Sequence, residues 1–222
     1  MNTTNARQNP LFTIGHSNLD APTFVKLLQQ HQIQNVADVR SSPYSRYTPQ
    51  FNREALQAML KENGISYVFL GDELGARRTE RECYENGQAV YERIAKTPLF
   101  KSGLERLLSG AKKFRIALMC AEKDPLTCHR TILVCRNLQE RAAELHSAET
   151  VAKREIQHIH SDGHLESHAE AEQRLLQTLK LPTEDFFRKP SEILEEAYTL
   201  QGKKIAYAEE AEGKPSEISS AV

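Results

Sequence analysis

The stretch MCAEKDPLTCHR, Met119 to Arg130, sets two thiols, two carboxylates, a lysine, an imidazole and a guanidinium directly behind the apolar run FRIAL. Cys128 follows Pro125 and Thr127 and opens the next predicted helix. Amides at that helix end, with His129 and Arg130 beside it, favour a thiolate. Cys128 is therefore the candidate nucleophile, against the alternative of a buried cap residue. Glu122 can carry a proton if burial raises its pKa, or can simply orient Arg130. Arg130 in a first helical turn opposes the helix dipole, a defect that a bound anion would correct. Cys120, at a strand end, is either a ligand contact or a small buried hydrophobe. Cys120, Cys128 and His129, joined by His16 or His158, would supply four nitrogen and sulfur ligands for zinc. Their C-x7-C-H spacing lacks the close C-x2-C pair of ordinary zinc sites, so no metal is assigned. No cofactor is assigned either.

A second constellation is DVRSSPYSRYTPQFN, from Asp38. It mixes the guanidinium forks of Arg40, Arg46 and Arg53 with Tyr44, Tyr47 and Phe51, as sites for nucleotides or single-stranded nucleic acid do. Asp38 and Arg40 flank Val39 and share a face if the strand continues that far. The alternative is a surface loop pinned down by its aromatics. GDELGARRTER adds Arg77, Arg78 and Arg81 beside Glu73, and Gly75 permits close backbone approach. A solvated charge run would look the same. His16, followed by Ser17 in GHS, is either a general base or a buried, satisfied histidine. The histidine-rich HIHSDGHLESH straddles a strand and a turn, so most of its histidines are expected at the surface.

These groups need elements to position them, and the apolar periodicity supplies them. Strands are expected at 11–14, 35–39, 66–70, 114–119 and 156–159. Helices are expected in APTFVKLLQQHQ (capped by Asp20), in REALQAMLKEN, around 88–109 with a break near Pro98, over 129–145, and in HAEAEQRLLQTLK. Alternating strands and helices predict an α/β domain over 11–180. Its mostly parallel sheet carries flanking helices in a Rossmann-like three-layer arrangement. Residues 181–222 read as a helical or disordered C-terminal appendage, too sparse in apolar residues from about 190 to matter for folding. In such sheets ligands sit beyond the carboxyl ends of the strands. Each polar segment starts where a strand stops, so His16, Asp38, Arg40 and Arg130 should meet around one cleft.

The chain has 222 residues and a formal net charge of -1, which argues against bulk polyanion binding. The N-terminus has no apolar signal-peptide core, and no run reaches membrane-spanning length. A cytoplasmic protein is the expectation, with its four cysteines reduced.

TIGHS, DVRSSPYSRYTPQFN, YVFLGDELGAR and CAEKDPLTCHR, in that order and spacing, resemble the domain-of-unknown-function 488 family over about residues 11–178. The resemblance implies an α/β domain of bacterial or archaeal cytoplasmic proteins and no established reaction. By motif it carries over Gly15, His16, Ser17, Asp38, Arg40, Pro43, Ser45, Gly75, Cys120, Glu122, Cys128, His129 and Arg130.

The leading expectation is an enzyme-like, anion-binding site for a phosphorylated or nucleotide-type small molecule. Cys128, His16 and Glu122 would do the chemistry. Ser17, Asp38, Arg40, Arg46, Tyr47, Gly75, Cys120, His129 and Arg130 would form the ligand-binding surface. Transfer or hydrolysis fits better than hydride chemistry, since no G-x-G-x-x-G fingerprint is present. One alternative is a non-catalytic nucleotide- or nucleic-acid-binding module. Another is a metal- or redox-responsive regulator built on Cys120 and Cys128.

Overall fold

The structure is a computed structural model, and it describes residues 9–145 and 155–209. The first eight residues and the end of the expected appendage, beyond 209, lie outside the described residues. Six strands form one sheet: β1 (Leu11–Gly15), β2 (Asn35–Asp38), β3 (Ser66–Phe69), β6 (Ile116–Cys120), β7 (Ile156–Ile159) and β8 (Leu165–Ser167). A separate hairpin pairs β4 (Tyr84–Glu85) with β5 (Gln88–Ala89). The order in the main sheet is β3-β2-β6-β1-β7-β8, and only β8 runs antiparallel to its neighbour. The mostly parallel α/β sheet expected from the sequence is thus the fold.

Among the described residues eight α-helices flank it: α1 (Ala21–Gln30), α2 (Arg53–Glu62), α3 (Gly71–Leu74), α4 (Tyr91–Ile94), α5 (Pro98–Ala111), α6 (Arg136–Leu145), α7 (His168–Leu179) and α8 (Pro190–Ile205). Local chemistry sets several starts. The Asp20 carboxylate accepts from Thr23 N at 2.7 Å and caps α1. Pro98, expected to interrupt a helix, instead opens α5 behind the Thr97 cap, where a missing N–H costs nothing. Ser167 and Glu170 form a capping box at α7.

Period-two alternation splits the core between the sheet's two faces. Phe12, Ile14, Val36, Ala117 and Met119 pack with α1 and α2 through Phe24, Leu28, Leu56 and Leu60. Leu11, Ala37, Ile116, Leu118 and Cys120 face α5, α7 and α8 through Phe100, Leu104, Leu175 and Ala197. The central strands are buried on both faces, as a parallel sheet requires.

The C-terminal helix departs from expectation. α8 docks on the body, burying Ile193, Ala197 and Tyr198, and Gln201 Nε2 donates to the Leu126 carbonyl at 2.7 Å. Phe186 and Phe187, the strongest apolar signals nearby, are fully exposed. After α8 the chain runs beside the β4–β5 hairpin, where Ala89 N donates to the Tyr207 carbonyl at 2.8 Å. A chain ending at Lys189 should therefore lose on the order of 5 kcal/mol of stability, since each buried large side chain contributes about 1.5–3 kcal/mol. Urea unfolding of the shortened and full chains checks this, and an unchanged midpoint would overturn it.

Candidate functional site

β6 delivers Cys120 to the carboxyl edge of the sheet. The Asp124 side chain accepts from Leu126 N at 2.9 Å and closes a 3-10 turn, Pro125–Thr127. Cys128 is extended (φ -132, ψ 139), His129 turns helical, and Arg130–Cys135 forms a π-helical segment that leads into α6. The helix thus opens after Cys128 rather than on it. π-Helical turns recur at functional sites because they re-aim side chains that a regular helix would turn away.

Arg130 was expected to hold an anion, and its surroundings correct that. The side chain is fully buried, with Nη1 donating to the Glu122 carbonyl at 2.7 Å, Nη2 to the Lys123 carbonyl at 3.2 Å, and Nε to Thr13 Oγ1 at 3.4 Å. Its donors are committed to the loop after β6 and to β1. The Glu122 carbonyl comes so close to β1 that a Cβ at Gly15 would lie 1.8 Å from its oxygen, so only glycine fits there.

Four reactive groups surround the sulfur of Cys128. Its Sγ lies 2.9 Å from Glu122 Oε2, and Arg130 N donates to it at 3.4 Å. Burial disfavours the Cys128 thiolate, yet the Cys120 thiol, the Arg130 guanidinium and His129 outweigh it and hold its pKa well below the ordinary cysteine range. Glu122 is pushed up by burial and by Cys128. Cys120 is pushed up by its hydrogen bond to Cys128 and by burial. His129 donates from Nε2 to the Val39 carbonyl at 2.9 Å and turns Nδ1 toward Cys120 Sγ, 3.7 Å away. Cys135 is buried deeper in this face, and desolvation raises its pKa.

The other face of the sheet carries the second half of the site. Asp38 takes Arg40 in a fork, with Nε at 2.9 Å and Nη2 at 2.7 Å, and accepts from Tyr67 Oη at 2.9 Å. Arg40 also donates to the Phe51 carbonyl and reaches His16 Nε2 at 3.3 Å. His16 stacks on Phe51 at 4.4 Å, and burial followed by the Arg40 charge lowers its pKa to about 4. His16 is thus the buried, satisfied histidine among the two readings of it.

Between the halves opens a cleft of about 330 Å³ lined by Arg40, Ser41, Ser42, Arg77, Tyr91, Cys120, Glu122, Thr127, His129, Ile205 and Tyr207. His16, Asp38, Cys128 and Arg130 are buried and are not part of its lining. Ser17 sits at φ 45 and ties its N–H to the Ala121 carbonyl at 2.8 Å. Arg46 and Tyr47 are exposed and bond each other, away from the cleft lining. Gly75 does allow close approach: a Cβ there would lie 2.4 Å from Ser41 Oγ, which accepts from Arg77 N at 2.9 Å. Sequence reasoning missed Tyr91, Ile205 and Tyr207. The last two come from the segment read as an appendage, and no local pattern marked them.

The histidine-rich segment also needs correction. His158 and His168 are buried and bonded at 3.1 Å, while His160 and His164 stack nearer the surface.

The sequence matches the family described as Domain of unknown function DUF488 over residues 20–136. The chain belongs to that family. The DUF488 match takes in the Asp38–Asn52 loop, Gly75 and the Cys120–Arg130 segment, but not TIGHS or anything beyond Arg136. No protein with a curated description and no solved structure matches the chain. Among the described residues no helix is long and apolar enough to cross a membrane.

Two outcomes test this architecture. Arg130→Ala should cost about 3–5 kcal/mol, because it strands buried carbonyls and an unbalanced sulfur, and Arg130→Lys should restore little of it. Urea titration decides, and a loss below about 1 kcal/mol would return Arg130 to a ligand role. His16 resists its proton in the folded state, so its contribution is complete above its unfolded pKa of 6.5 and is lost as pH falls toward about 4. The loss is at most about 3 kcal/mol. His16→Gln should flatten the stability curve across that window. An unaltered slope would show that His16 does not couple folding to protons.

Proposed function

We propose that the cleft binds a phosphorylated or nucleotide-type small molecule and supports a transfer or hydrolytic reaction on it. The observation that carries this reading is Arg77. Its guanidinium lies over the Tyr207 ring at 4.4 Å, and among the described residues no carboxylate forms an ion pair with it. A cation at a cleft mouth, with the hydroxyls of Ser41, Ser42 and Thr127 around it, suits a phosphate group. Glu122 and Cys120 reach the same cleft and can exchange protons with Cys128 behind them. Cys128 itself, 1% exposed, then acts through these neighbours, and His16 acts by holding Arg40. A reducing cytoplasm suits this arrangement, since all four cysteines are free thiols.

A second reading, a non-catalytic module for single-stranded nucleic acid, is favoured by Tyr44 and Tyr47, which are 55% and 79% exposed, beside Arg46.

Calorimetric titration with pyrophosphate and with a nucleoside monophosphate separates the readings. Binding that falls at least about tenfold in Arg77→Ala, at an unchanged melting temperature, is the expected result. Absence of binding by both probes overturns the proposal. A single-stranded oligonucleotide that binds through Tyr47 in their place would favour the second reading.

A further inference from the structure

We infer that Cys120, Cys128 and His129 form a three-donor site for a zinc-class divalent cation at the floor of the cleft, with its fourth position beside Glu122. For the ligand such a cation would face, the inference rests on the phosphate-binding reading above; the metal site itself does not.

Geometry comes first. The two Sγ atoms and His129 Nδ1 all lie within 4.8 Å of one another, and Cys120 Sγ stands 3.7 Å from Nδ1. Tetrahedral zinc, with sulfur at about 2.3 Å and nitrogen at about 2.0–2.1 Å, sets neighbouring donors about 3.5–3.8 Å apart. Small side-chain rotations therefore suffice to close three ligands on an ion.

The support around these donors is of the kind a metal site needs. His129 donates from Nε2 to the Val39 carbonyl, which fixes the ring and turns Nδ1 toward the sulfurs, where an ion would displace its proton. Arg130 N donates toward Cys128 Sγ, and the Arg130 guanidinium beneath the loop has no carboxylate partner among the described residues. Both features stabilise ionised sulfur. Glu122 Oε2 lies 2.9 Å from Cys128 Sγ, and Glu122 also lines the cleft. The fourth position is therefore either a carboxylate or open to a bound molecule, as in sites where zinc acts on a substrate.

Two further arguments fix the chemical class. Sulfur and imidazole donors select zinc-class cations over magnesium or calcium, which take oxygen. The cleft also poses an electrostatic problem, since Arg77 at its mouth suits an anion while sulfurs and a carboxyl at its floor repel one. A cation bound between them removes the conflict and would itself meet a phosphate oxygen. Ion binding displaces the protons of both thiols.

The test uses the full chain, purified without a histidine tag, reduced and stripped of metal. Cobalt(II) should raise a thiolate-to-cobalt charge-transfer band and tetrahedral visible bands that saturate at about one equivalent per chain. Zinc should bleach them. Cys135→Ser should keep the spectrum, Cys120→Ser and Cys128→Ser should each weaken the charge-transfer band, and His129→Gln should lower affinity at least tenfold. Mass-spectrometric mapping of alkylation in the unaltered chain covers the case in which variants fail to fold. Zinc should then protect Cys120 and Cys128, but not Cys83. No charge-transfer band, or protection that misses Cys120 and Cys128, overturns the metal site. Metal binding without pyrophosphate affinity would sink the cleft reading and leave the metal site standing. Pyrophosphate affinity without metal binding would do the reverse.

Discussion

A buried guanidinium that, among the described residues, has carbonyls and no carboxylate as partners organises the carboxyl edge of this sheet. Arg130 can remain charged inside the protein only if its donors find acceptors, because an uncompensated buried ion is costly. The loop after β6 meets that demand by turning the Glu122 and Lys123 carbonyls inward. That turn presses the Glu122 carbonyl against β1, which requires Gly15 to lack a side chain. The same turn brings the Glu122 carboxyl to Cys128 Sγ and sets His129 against the neighbouring strand. One charge placement therefore dictates the loop path, a glycine on another strand, and the positions of the reactive groups.

The constraint extends away from the cleft through a directional chain of hydrogen bonds. Arg130 Nε donates to Thr13 Oγ1, which leaves the Thr13 hydroxyl to donate to His158 Nδ1 at 2.7 Å. His158 Nε2 can then donate to His168 Nδ1 at 3.1 Å, His168 Nε2 to Tyr198 Oη at 3.1 Å, and the Tyr198 hydroxyl to Glu172 at 3.0 Å. His158 serves this chain as a neutral ring. Burial, then the neighbouring His168, keeps His158 well below the usual imidazole range. The chain crosses from β1 through β7 and α7 to Tyr198 on α8 and ends back on Glu172 of α7, so α8 supplies a polar link as well as apolar cover. This is why α8 belongs to the body despite its sparse apolar pattern.

The sheet separates the two polar constellations, and the cleft is where they meet. On the α2 face Asp38 neutralises Arg40 and fixes its direction, with His16 and Phe51 packed against it. On the other face the sulfur cluster collects around Cys128. Arg40 and Glu122 both reach the cleft from these opposite supports. Rigid strands hold both sets, so the groups in the cleft are positioned by elements rather than by loop packing alone.

Much of this protein was legible in its residues. Alternating strands and helices specified the α/β class, because a parallel strand buried on both faces reads as an apolar run and its crossover helix as an amphipathic one. The Asp20 cap and the placement of polar segments after strand ends followed from equally local chemistry. What tertiary structure alone decided was the partner of each charged or reactive group. Arg130 looked like an anion binder because a helix start with a positive charge is a defect in isolation; the carbonyls that satisfy it become acceptors only once the loop folds back over Gly15. Cys120, Cys128 and His129 could be named as possible ligands, but the C-x7-C-H spacing could not show that they meet, since a 3-10 turn and an extended Cys128 bring the donors together without a short repeat. Ile205 and Tyr207 entered the cleft through a helix whose docking depends on a hydrogen-bond chain from four other elements. Periodicity reports on an element's own face, and such partnerships exist only between elements distant in the chain.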